Sequence, residues 1–477
     1  MQVVRYDHGT TIVLRHIGSS SRMQEIARLH QQALEWIGAH SGQQSFFPLA
    51  SSFDPILSQY RYLGVKYTLL YDAVRQGIEA LGFVALNDPL LLDLVLMRVV
   101  EPASKRHSIQ LLSSYFGISR EITTVYRRLP QISSLKDQAE SLLVSFARKH
   151  LHFDFSFVLY DVTTLYFESF TTDELRTCGF SKDNKANQPQ VVVGLLVNTD
   201  GFPLSYDVFS GRTFEGHTII PVITALVRKY AITSLTVVAD AAMLSEANIA
   251  ALEQAKVSYI VGARLGYLSR AQVDMIATTL QERDQATIRT PYAGHTLVCD
   301  FSSSRYTKDK RDTETYVAKA QAILDGKTAM KRHRFLSGTT GTYTLNQPLI
   351  DRTKRLWGIK GYVTNVDIPD AQIITAYRNL WRVEQSFRMA KSDLLTRPVY
   401  HTKEKAIKAH LLICILALAV GKYLEWKSHQ SLKHMIETFK AIPDARIVNK
   451  TTGEETGWRA ELPDHAKQVL TDLGVTY

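Results

Sequence analysis

The spacing of hydrophobic and polar positions changes twice along the chain. Over residues 1–150, apolar side chains recur at intervals of three and four, which predicts helices. Asp88 followed by Pro89 predicts the N-cap and first residue of one helix, and Pro102 would end it. The segment SIQLLSSYFGISREITTVYRRL predicts a helix, a turn at Gly117 and a second helix capped by Ser119.

These last two predicted helices have the form of a helix-turn-helix over residues 104–129. Three arginines would lie on the second helix: Arg120, Arg127 and Arg128. Arginines in that position suit a helix that enters the DNA major groove. An ordinary helical hairpin explains the same pattern equally well, so both interpretations stay open.

A different texture begins near residue 151. FSFVLYDVTTLYFES is rich in β-branched and aromatic residues and predicts a strand. QVVVGLLVNTDGFPLSYDVFSG predicts two strands joined by a turn at residues 199–201, and LTVVAD predicts a short buried strand. Helices are predicted over 218–230 and 245–254. Residues 151–256 therefore predict the first part of a mixed α/β core.

The texture changes again over residues 257–370, where short strand-like pieces alternate with polar, basic stretches. Residues 301–360 contain 13 Lys and Arg against 5 Asp and Glu, most of the positive excess of the chain. We interpret this segment as a β-rich basic insertion. Helical spacing returns over 371–440, the final part of the core, and 441–477 is predicted to be a C-terminal appendage.

Composition narrows the class of protein. The 477 residues are 45% hydrophobic, with 56 Lys and Arg against 46 Asp and Glu, a formal charge of +10. That excess predicts a polyanionic partner, most commonly nucleic acid. Three scattered cysteines fit a reducing compartment, and we expect a cytoplasmic, nucleoid-associated protein. No signal peptide is visible, and the apolar stretch 409–424 predicts a buried helix rather than a membrane span.

Two aspartates lie within or at the end of predicted apolar strands. Asp161 is in the middle of VLYDVTTLYF, and Asp240 ends VVAD. A carboxylate in an apolar strand is costly to bury unless it is paired or binds a metal. Ligands of α/β sheets are held at strand ends, so these two side chains could share a divalent cation on neighbouring strands. Asp240 alone could also be a loop cap.

A third carboxylate, Glu384, lies in the predicted helix YRNLWRVEQSFRMAKSDL. Tyr377, Glu384, Arg388 and Lys391 follow one another at spacings of seven, four and three residues. These spacings predict one helical face with a carboxylate beside an aromatic hydroxyl and two cations. A solvated face in which Glu384 pairs with Arg388 is the alternative interpretation.

Together these motifs resemble the DDE transposases of bacterial insertion sequences. The resemblance is to the cut-and-paste subgroup, which carries a β-rich insertion before its last acidic residue. It covers residues from about 102 to 424 and rests on YDVTTLYFES, on VVADAAMLSEANI and on YRNLWRVEQSFRMAKSDL. The resemblance implies a ribonuclease-H-like catalytic core, preceded by the mostly helical region at 1–150 as the DNA-binding part.

The signature of that subgroup is Tyr, two residues, Arg, three residues, Glu, six residues and Lys. Tyr377, Glu384 and Lys391 match it, whereas Leu380 occupies the arginine position. The missing charge would come from one of two neighbouring arginines, Arg378 or Arg382.

The resemblance implies that Asp161, Asp240 and Glu384 are the catalytic metal ligands. Mg²⁺ prefers oxygen donors, and two ions roughly 4 Å apart can activate the attacking oxygen and stabilise the leaving one. We therefore expect two Mg²⁺ ions, with Mn²⁺ able to substitute. Glu168 is a rival third carboxylate that more simply lies on the surface.

The remaining site residues are expected to contact DNA. Phosphates would be held by Tyr377, Arg378, Arg382, Arg388 and Lys391, with Arg120 and Arg127 in the N-terminal region. Trp357 would stack on a flipped base, or pack against the core, which the sequence favours. The stretch GFSKDNKANQPQVVVGLLVNTDGFPLSYDVFSGRTFEGHT also resembles the family's segment after the first strand. Two of its residues have no assigned chemistry: Glu215 and His217.

The resemblance also implies partners and a reaction. Double-stranded DNA would bind both as element ends and as target, with a homodimer on the paired ends. Cleavage at the ends would precede attack of the 3′-ends on target DNA. Two alternatives stay open: a structure-specific nuclease of the same fold, and a catalytically silent or domesticated DNA-binding regulator.

Overall fold

The computed structural model describes residues 1–7, 9–40, 59–179, 187–243, 245–329, 333–339 and 342–477. Its strands are β1 (Gln2–Asp7), β2 (Thr10–His16), β3 (Tyr60–Lys66), β4 (Phe157–Tyr166), β5 (Gln190–Val197), β6 (Pro203–Ser210), β7 (Thr236–Ala239), β8 (Ser258–Gly262), β9 (Thr287–Tyr292), β10 (His295–Phe301), β11 (Leu336–Thr339), β12 (Thr342–Leu345), β13 (Ile359–Thr364), β14 (Asp444–Asn449) and β15 (Glu455–Arg459).

Five of the described helices follow one another between β3 and β4, and the others lie between or after the remaining strands. The helices are α1 (Met23–His40), α2 (Thr68–Ala80), α3 (Pro89–Val100), α4 (Lys105–Phe116), α5 (Ile122–Ser133), α6 (Lys136–His150), α7 (Ile219–Tyr230), α8 (Glu246–Gln254), α9 (Arg270–Leu280), α10 (Ser303–Leu324), α11 (Gln347–Arg355), α12 (Asp370–Arg378), α13 (Trp381–Arg388), α14 (Glu404–Ser428), α15 (Leu432–Lys440) and α16 (Asp464–Leu473).

A large mixed sheet organises the described part of the chain. Its strand order is β6-β5-β4-β7-β8-β13-β10-β9. Strand β5 pairs antiparallel with both β4 and β6, whereas β4, β7 and β8 run parallel to one another. Parallel neighbours need crossover connections, and α7 and α8 provide them. The predicted α/β class and the strands at 157–166, 190–197, 203–210 and 236–239 are therefore confirmed.

The helix α14 forms the centre of the helical layer. It is long and apolar enough to cross a membrane by composition, but 89% of its most apolar window is buried inside the protein. It packs against α2, α3, α5 and α16. A helix that is apolar on all sides must be buried on all sides, so the prediction of a buried core helix at 409–424 is confirmed.

The helix α3 also follows the sequence prediction. The Asp88 side chain accepts a hydrogen bond from the Leu91 amide at 3.0 Å, and Pro89 takes the first helical position. The turn at Gly117 is also confirmed, because that residue ends α4 in the left-handed conformation with φ of 73°. Glycine adopts this conformation without a steric penalty.

The chain divides into two compact units, and none of the three boundaries between them falls at residue 150. The first unit contains Met1–Gly64 and Ala445–Trp458, and includes the β1–β2 hairpin. The second contains Val65–Asp444 and Arg459–Tyr477. The predicted helical region at 1–150 is thus split, and it also contains β1, β2 and β3. Within the predicted appendage at 441–477, α16 packs on α2 and α14 in the second unit.

The predicted β-rich insertion at 257–370 is a mixed segment. Strands β8, β10 and β13 form where expected, but three helices accompany them: α9, α10 and α11. The 22-residue helix α10 is highly charged and buries only Thr313, Ala320 and Ile323. Its apolar stripe is too sparse for a hydrophobic pattern to reveal the helix.

Candidate active site

Two aspartates lie side by side where the parallel part of the sheet ends. Strands β4 and β7 pair from Phe157 with Thr236 to Tyr160 with Ala239, an offset that continues to Asp161 beside Asp240. Strand β7 stops at Ala239, whereas β4 continues and pairs only with β5. The end of β7 therefore opens a gap at the carboxyl edge of the sheet. Ligands of α/β sheets bind at such edges.

The exposure of these carboxylates follows from that gap. Asp161 is partly exposed and Asp240 is exposed, although the strand residues that precede them are mostly buried. Residues in register on parallel strands point to the same face of a sheet. The two aspartates, predicted from separate motifs, are thus brought together by the fold.

Tyr377 of α12 fixes one of the two aspartates. Its hydroxyl donates a hydrogen bond to Oδ1 of Asp240 at 3.1 Å. Burial raises the pKa of Tyr377, and the negative charges of Asp240 and Glu384 raise it further. The hydroxyl therefore stays protonated and keeps donating at any ordinary pH. Because the charge of Glu384 raises the pKa of Tyr377, Glu384 lies within electrostatic range of the Tyr377 hydroxyl.

A glycine makes room for this tyrosine. A Cβ atom at Gly262, the last residue of β8, would lie 2.5 Å from the Tyr377 hydroxyl oxygen. It would also lie 3.2 Å from the amide nitrogen of Ala241, the residue after Asp240. Only a residue without Cβ permits this approach.

Glu384 lies on α13, which packs against β4 and β5. Ser386 anchors that helix, because its hydroxyl donates to the carbonyl of Gly201 in the β5–β6 turn at 2.7 Å. Val383 and Phe387 are buried, and Glu384 faces solvent on the opposite side. Among the described residues Glu384 makes no ion pair, so the alternative of an ion pair with Arg388 does not describe this structure.

The helix predicted at 377–394 is not continuous. Residues 379–380 form a tight turn between α12 and α13, with hydrogen bonds from Leu380 to Tyr377 and from Arg382 to Asn379. Met389–Asp393 then forms a wider π-helical turn. A tighter and a wider turn change the direction of side chains relative to a uniform helix. The single face predicted for Tyr377, Glu384, Arg388 and Lys391 is therefore wrong as a uniform helical stripe.

Lys391 lies in the π-helical turn and reaches β4. It lines a small cavity of about 20 Å³ together with Thr163 and Leu165, two and four residues beyond Asp161. Arg388 is exposed on the last turn of α13. The signature lysine is therefore beside the strand of the first aspartate.

Leu380, which occupies the arginine position of the signature, is buried, and each of the two candidate arginines has an acidic neighbour. Arg378 forms a 2.8 Å ion pair with the buried Asp300, whose other oxygen accepts from the Tyr362 hydroxyl at 2.8 Å. Arg382 is partly buried, 3.8 Å from Asp200 and stacked on Trp381. Arg378 is on the Tyr377 side of the sheet, and Arg382 faces the β5–β6 turn.

Two cations near Tyr377, namely Lys360 and Arg305, were not singled out from the sequence. The Lys360 ammonium lies 5.1 Å from the centre of the Tyr377 ring. Burial and the charge of Arg305 lower the pKa of Lys360, whereas the charges of Asp240 and Asp300 raise it. Both cations belong to the basic segment 301–360. The only sequence signal for them is that excess of charge, since Lys360 is positioned by the pairing of β13 with β8 and β10, and Arg305 by α10.

The turn Glu215–His217, which has no assigned chemistry, lies against the turn that follows Asp240. Asn248 joins the two turns by donating to the carbonyls of Gly216 at 2.7 Å and Met243 at 3.0 Å. The family-like stretch around His217 thus supports the backbone beyond the second aspartate.

The helix-turn-helix prediction needs a correction. Helix α5 begins at Ile122 without a side-chain cap, so Ser119 is not its N-cap and Arg120 precedes the helix. Arg120 pairs with Asp93 at 2.7 Å and Arg128 with Asp88 at 2.6 Å, and both aspartates belong to or cap α3. These pairs hold the two arginines against α3. Arg127 is exposed.

Trp357 lies between α11 and β13 and is partly buried. Its Nε1 donates to Oγ1 of Thr313 at 3.0 Å, and its ring meets Tyr306 edge-on. Glu168 is exposed, just beyond the end of β4.

The donor set suits a hard divalent cation. Asp161 and Asp240 follow the last paired residues of β4 and β7, and Glu384 acts with Asp240 on the charge environment of Tyr377. Within the described ranges no three His, Cys, Asp or Glu side chains form a compact metal-binding group. Carboxylate oxygens are donors of the kind that bind Mg²⁺ in preference to Zn²⁺.

Comparison with known protein families identifies one family whose domain includes these carboxylates. The sequence profile of the transposase DDE domain matches residues 152–420, more than half of the chain. Among solved structures, one similar chain comes from the cryo-EM structure of a piggyBac transposase synaptic complex with hairpin DNA. It is 11% identical, covers 77% of this chain and 69% of that chain, and has a TM-score of 0.39. No curated protein matches the chain.

Proposed function

The chain belongs to the transposase DDE domain family, and on that premise we propose that it is a cut-and-paste transposase of the bacterial insertion-sequence type. Members of this family are enzymes of DNA transposition that cleave and transesterify DNA with divalent metal ions. The proposal adds the reaction sequence, which is cleavage at the two element ends followed by attack of the freed 3′-ends on target DNA.

The observation that carries the proposal is the register of β4 and β7. It pairs Tyr160 with Ala239, so that Asp161 and Asp240 each come directly after the last pair, at the point where β7 ends. The strand order β6-β5-β4-β7-β8 supports a ribonuclease-H-like core.

We assign Asp161, Asp240 and Glu384 as ligands of Mg²⁺, for which Mn²⁺ can substitute. The metal would supply activation of the attacking oxygen and stabilisation of charge on the leaving oxygen. Tyr377 holds Asp240 in one orientation through its hydroxyl. Fixed ligands lower the cost of assembling the site when the DNA arrives.

The cations near these carboxylates would bind DNA phosphates. Lys391 and Arg388 follow Glu384 along the chain, and Lys360 lies on the Tyr377 side. Contacts of this kind set the position of the DNA rather than its sequence preference. Arg378, Arg382, Arg120, Arg127 and Trp357 are proposed as further DNA contacts. Arg120 and Arg378 would contact the DNA while keeping their ion pairs with Asp93 and Asp300.

The assembly and location are also part of the proposal. We propose a homodimer on paired element ends, acting on double-stranded DNA in the cytoplasm, at the nucleoid. DNA binding should weaken steeply as salt rises, because phosphate contacts release counterions.

The test is a cleavage assay on the DNA that flanks the coding region, with Mg²⁺ and with EDTA. We expect paired, metal-dependent cuts that are lost in Asp161→Asn, Asp240→Asn and Glu384→Gln, while DNA binding is retained. Glu168→Gln is the matched control, since it neutralises an exposed carboxylate near the end of β4. It should cleave like the wild type.

Other outcomes separate the alternatives. Cuts at branched or flapped DNA without any joining to target would indicate a structure-specific nuclease. Tight DNA binding with no cutting under Mg²⁺ or Mn²⁺ would indicate a regulator. A carboxylate variant with normal turnover would remove that residue from the catalytic set.

A further inference from the structure

A cavity of about 280 Å³ in the second unit has walls that carry positive charge. Helix α3 provides Arg98, α4 begins with Lys105, and His401 and His410 come from before and within α14. We call it the basic cavity. At about 30 Å³ per water molecule it has room for roughly nine waters, enough for a phosphate group and part of a sugar.

Two cations in its wall are buried without a countercharge. Arg98 and Lys105 are each 4% exposed. Arg98 donates only to backbone carbonyls, among them Ala103 at 2.9 Å, and the Lys105 ammonium donates to Nδ1 of His410 at 3.3 Å. Among the described residues no carboxylate pairs with either one. Burying a charge is costly unless an opposite charge compensates it.

The histidines cannot supply that compensation. His410 donates from Nε2 to the carbonyl of Thr396 at 3.0 Å, so its Nδ1 is the acceptor for Lys105. Burial and the nearby charges of Lys105 and Arg98 lower the pKa of both histidines, that of His401 to about 4. Both rings are therefore neutral, and the net charge of the wall is positive.

The backbone adds a second feature that favours an anion. Ser104 caps α4, and its hydroxyl accepts from the amide of His107 at 3.2 Å. The cavity is lined by Pro102, Ala103 and Ser104, so it lies at the N-terminus of this 12-residue helix. Helix N-termini present unpaired N–H groups and a partial positive charge.

The position of the cavity relates it to the carboxylates. The amide of Val399 donates to the carbonyl of Tyr166, the last residue of β4, at 3.2 Å. Tyr166 is five residues beyond Asp161, or about 16 Å at 3.3 Å per residue. DNA advances 3.4 Å per nucleotide along one strand, so this length of β4 equals about five nucleotides of a DNA strand.

The rim of the cavity is open and aromatic. Tyr126 of α5 is 51% exposed and Tyr400 is 69% exposed. Exposed tyrosines beside a basic site suit a nucleotide, because the sugar or base can pack on the rings.

We propose that the basic cavity binds one phosphate group of the DNA backbone, with Lys105 as its charged contact and Tyr126 and Tyr400 beside the attached nucleotide. That the phosphate comes from DNA, which we call the DNA source, rests on the proposed function. The affinity of the cavity for phosphate rests on the cavity alone. The test therefore has one arm without DNA and one arm with it.

The first arm uses inorganic phosphate. Thermal unfolding of the wild type is measured in rising phosphate against chloride of equal ionic strength. We expect phosphate to raise the melting temperature of the wild type and of Lys433→Met, but not that of Lys105→Met. Lys433 is the matched control because it is an exposed lysine paired with Glu437 on α15.

The second arm measures binding of a fluorescent DNA duplex across a salt series. Loss of one phosphate contact lowers the slope of log affinity against log salt by about 1. We expect that change in Lys105→Met, with a several-fold loss of affinity at low salt, and no change in Lys433→Met. Circular dichroism checks that each variant is folded.

Each remaining outcome overturns part of the proposal. Phosphate protection with an unchanged DNA slope would mean that the cavity binds a free anion, and would overturn the DNA source. No phosphate protection and an unchanged slope in a folded Lys105→Met would overturn the site. A wild type that binds no duplex would refute the proposed function and the DNA source together, while the first arm would still decide the anion site.

Discussion

The buried ammonium group of Lys105 should lower the free energy of unfolding of this protein. Burial, followed by the charge of Arg98, lowers the pKa of this lysine from 10.5 to about 7. In the folded protein, it faces Arg98, His401, His410 and Cys414, and none of these groups is a carboxylate. A shift of this size corresponds to about 4 kcal/mol of lost stability at pH 7, at 1.36 kcal/mol per pKa unit.

The sign of the pH dependence follows from the two pKa values. Between pH 7 and 10.5 the unfolded chain binds more protons at this lysine than the folded protein does. The free energy of unfolding therefore rises with pH across that window, by about 2 kcal/mol from pH 7 to pH 9. The histidines of the cavity titrate below this window and do not contribute to it.

Replacing Lys105 with methionine should remove both effects. The variant loses one hydrogen bond, because Nδ1 of His410 keeps no donor, at a cost of about 1 kcal/mol. The net expectation is a gain of about 3 kcal/mol at pH 7 that shrinks towards pH 9. Urea denaturation in phosphate-free buffer at the two pH values measures it, with Lys433→Met as control.

A loss of stability in Lys105→Met, with the same pH slope as the wild type, would refute this reasoning. It would mean that a countercharge holds the ammonium in the folded state. A stabilising variant that also loses phosphate and DNA contacts would instead show that this lysine is kept for binding at a cost in stability.

Three further predictions concern the candidate active site. Tyr377→Phe removes the hydrogen bond to Asp240 and should slow DNA cleavage about tenfold, with unchanged duplex binding; equal cleavage rates would mean that the hydroxyl does not position the carboxylate. Gly262→Ala places a Cβ 2.5 Å from the Tyr377 hydroxyl oxygen and should lower cleavage at least as much, whereas wild-type activity would show that the tyrosine can move freely. Ser386→Ala removes the donor to the Gly201 carbonyl and should reduce the free energy of unfolding by about 1 kcal/mol in urea denaturation; no change there would mean that packing alone holds α13.

Sequence patterns predicted those helices and strands that are specified by residues close to them in the sequence. The Asp88–Pro89 start of α3, the glycine turn after α4 and the strands β4 to β7 depend on caps, turn residues and β-branched runs that lie within a few positions. The same logic failed at α10, whose apolar stripe is sparse, and at the N-cap of α5. There the ion pair between Arg120 and Asp93 of α3 fixes the residues before the helix, and no local pattern encodes that contact.

The candidate site divides in the same way. Residue type and motif singled out Asp161, Asp240, Glu384, Tyr377 and Lys391 from the sequence. Tertiary structure decided their relations: the register of β4 and β7 sets the aspartates side by side, and the interruptions at 379–380 and 389–393 set where Glu384 and Lys391 point.

The sequence by itself predicted three carboxylates for a DNA-cleaving site, in a basic chain with an α/β core. Only the tertiary structure showed that Lys360 and Arg305 reach Tyr377, and that Arg98 and Lys105 form a buried cationic wall. The reason is physical. A side chain's chemistry is local to its residue, whereas its burial and its electrostatic neighbours come from strands and helices distant in sequence.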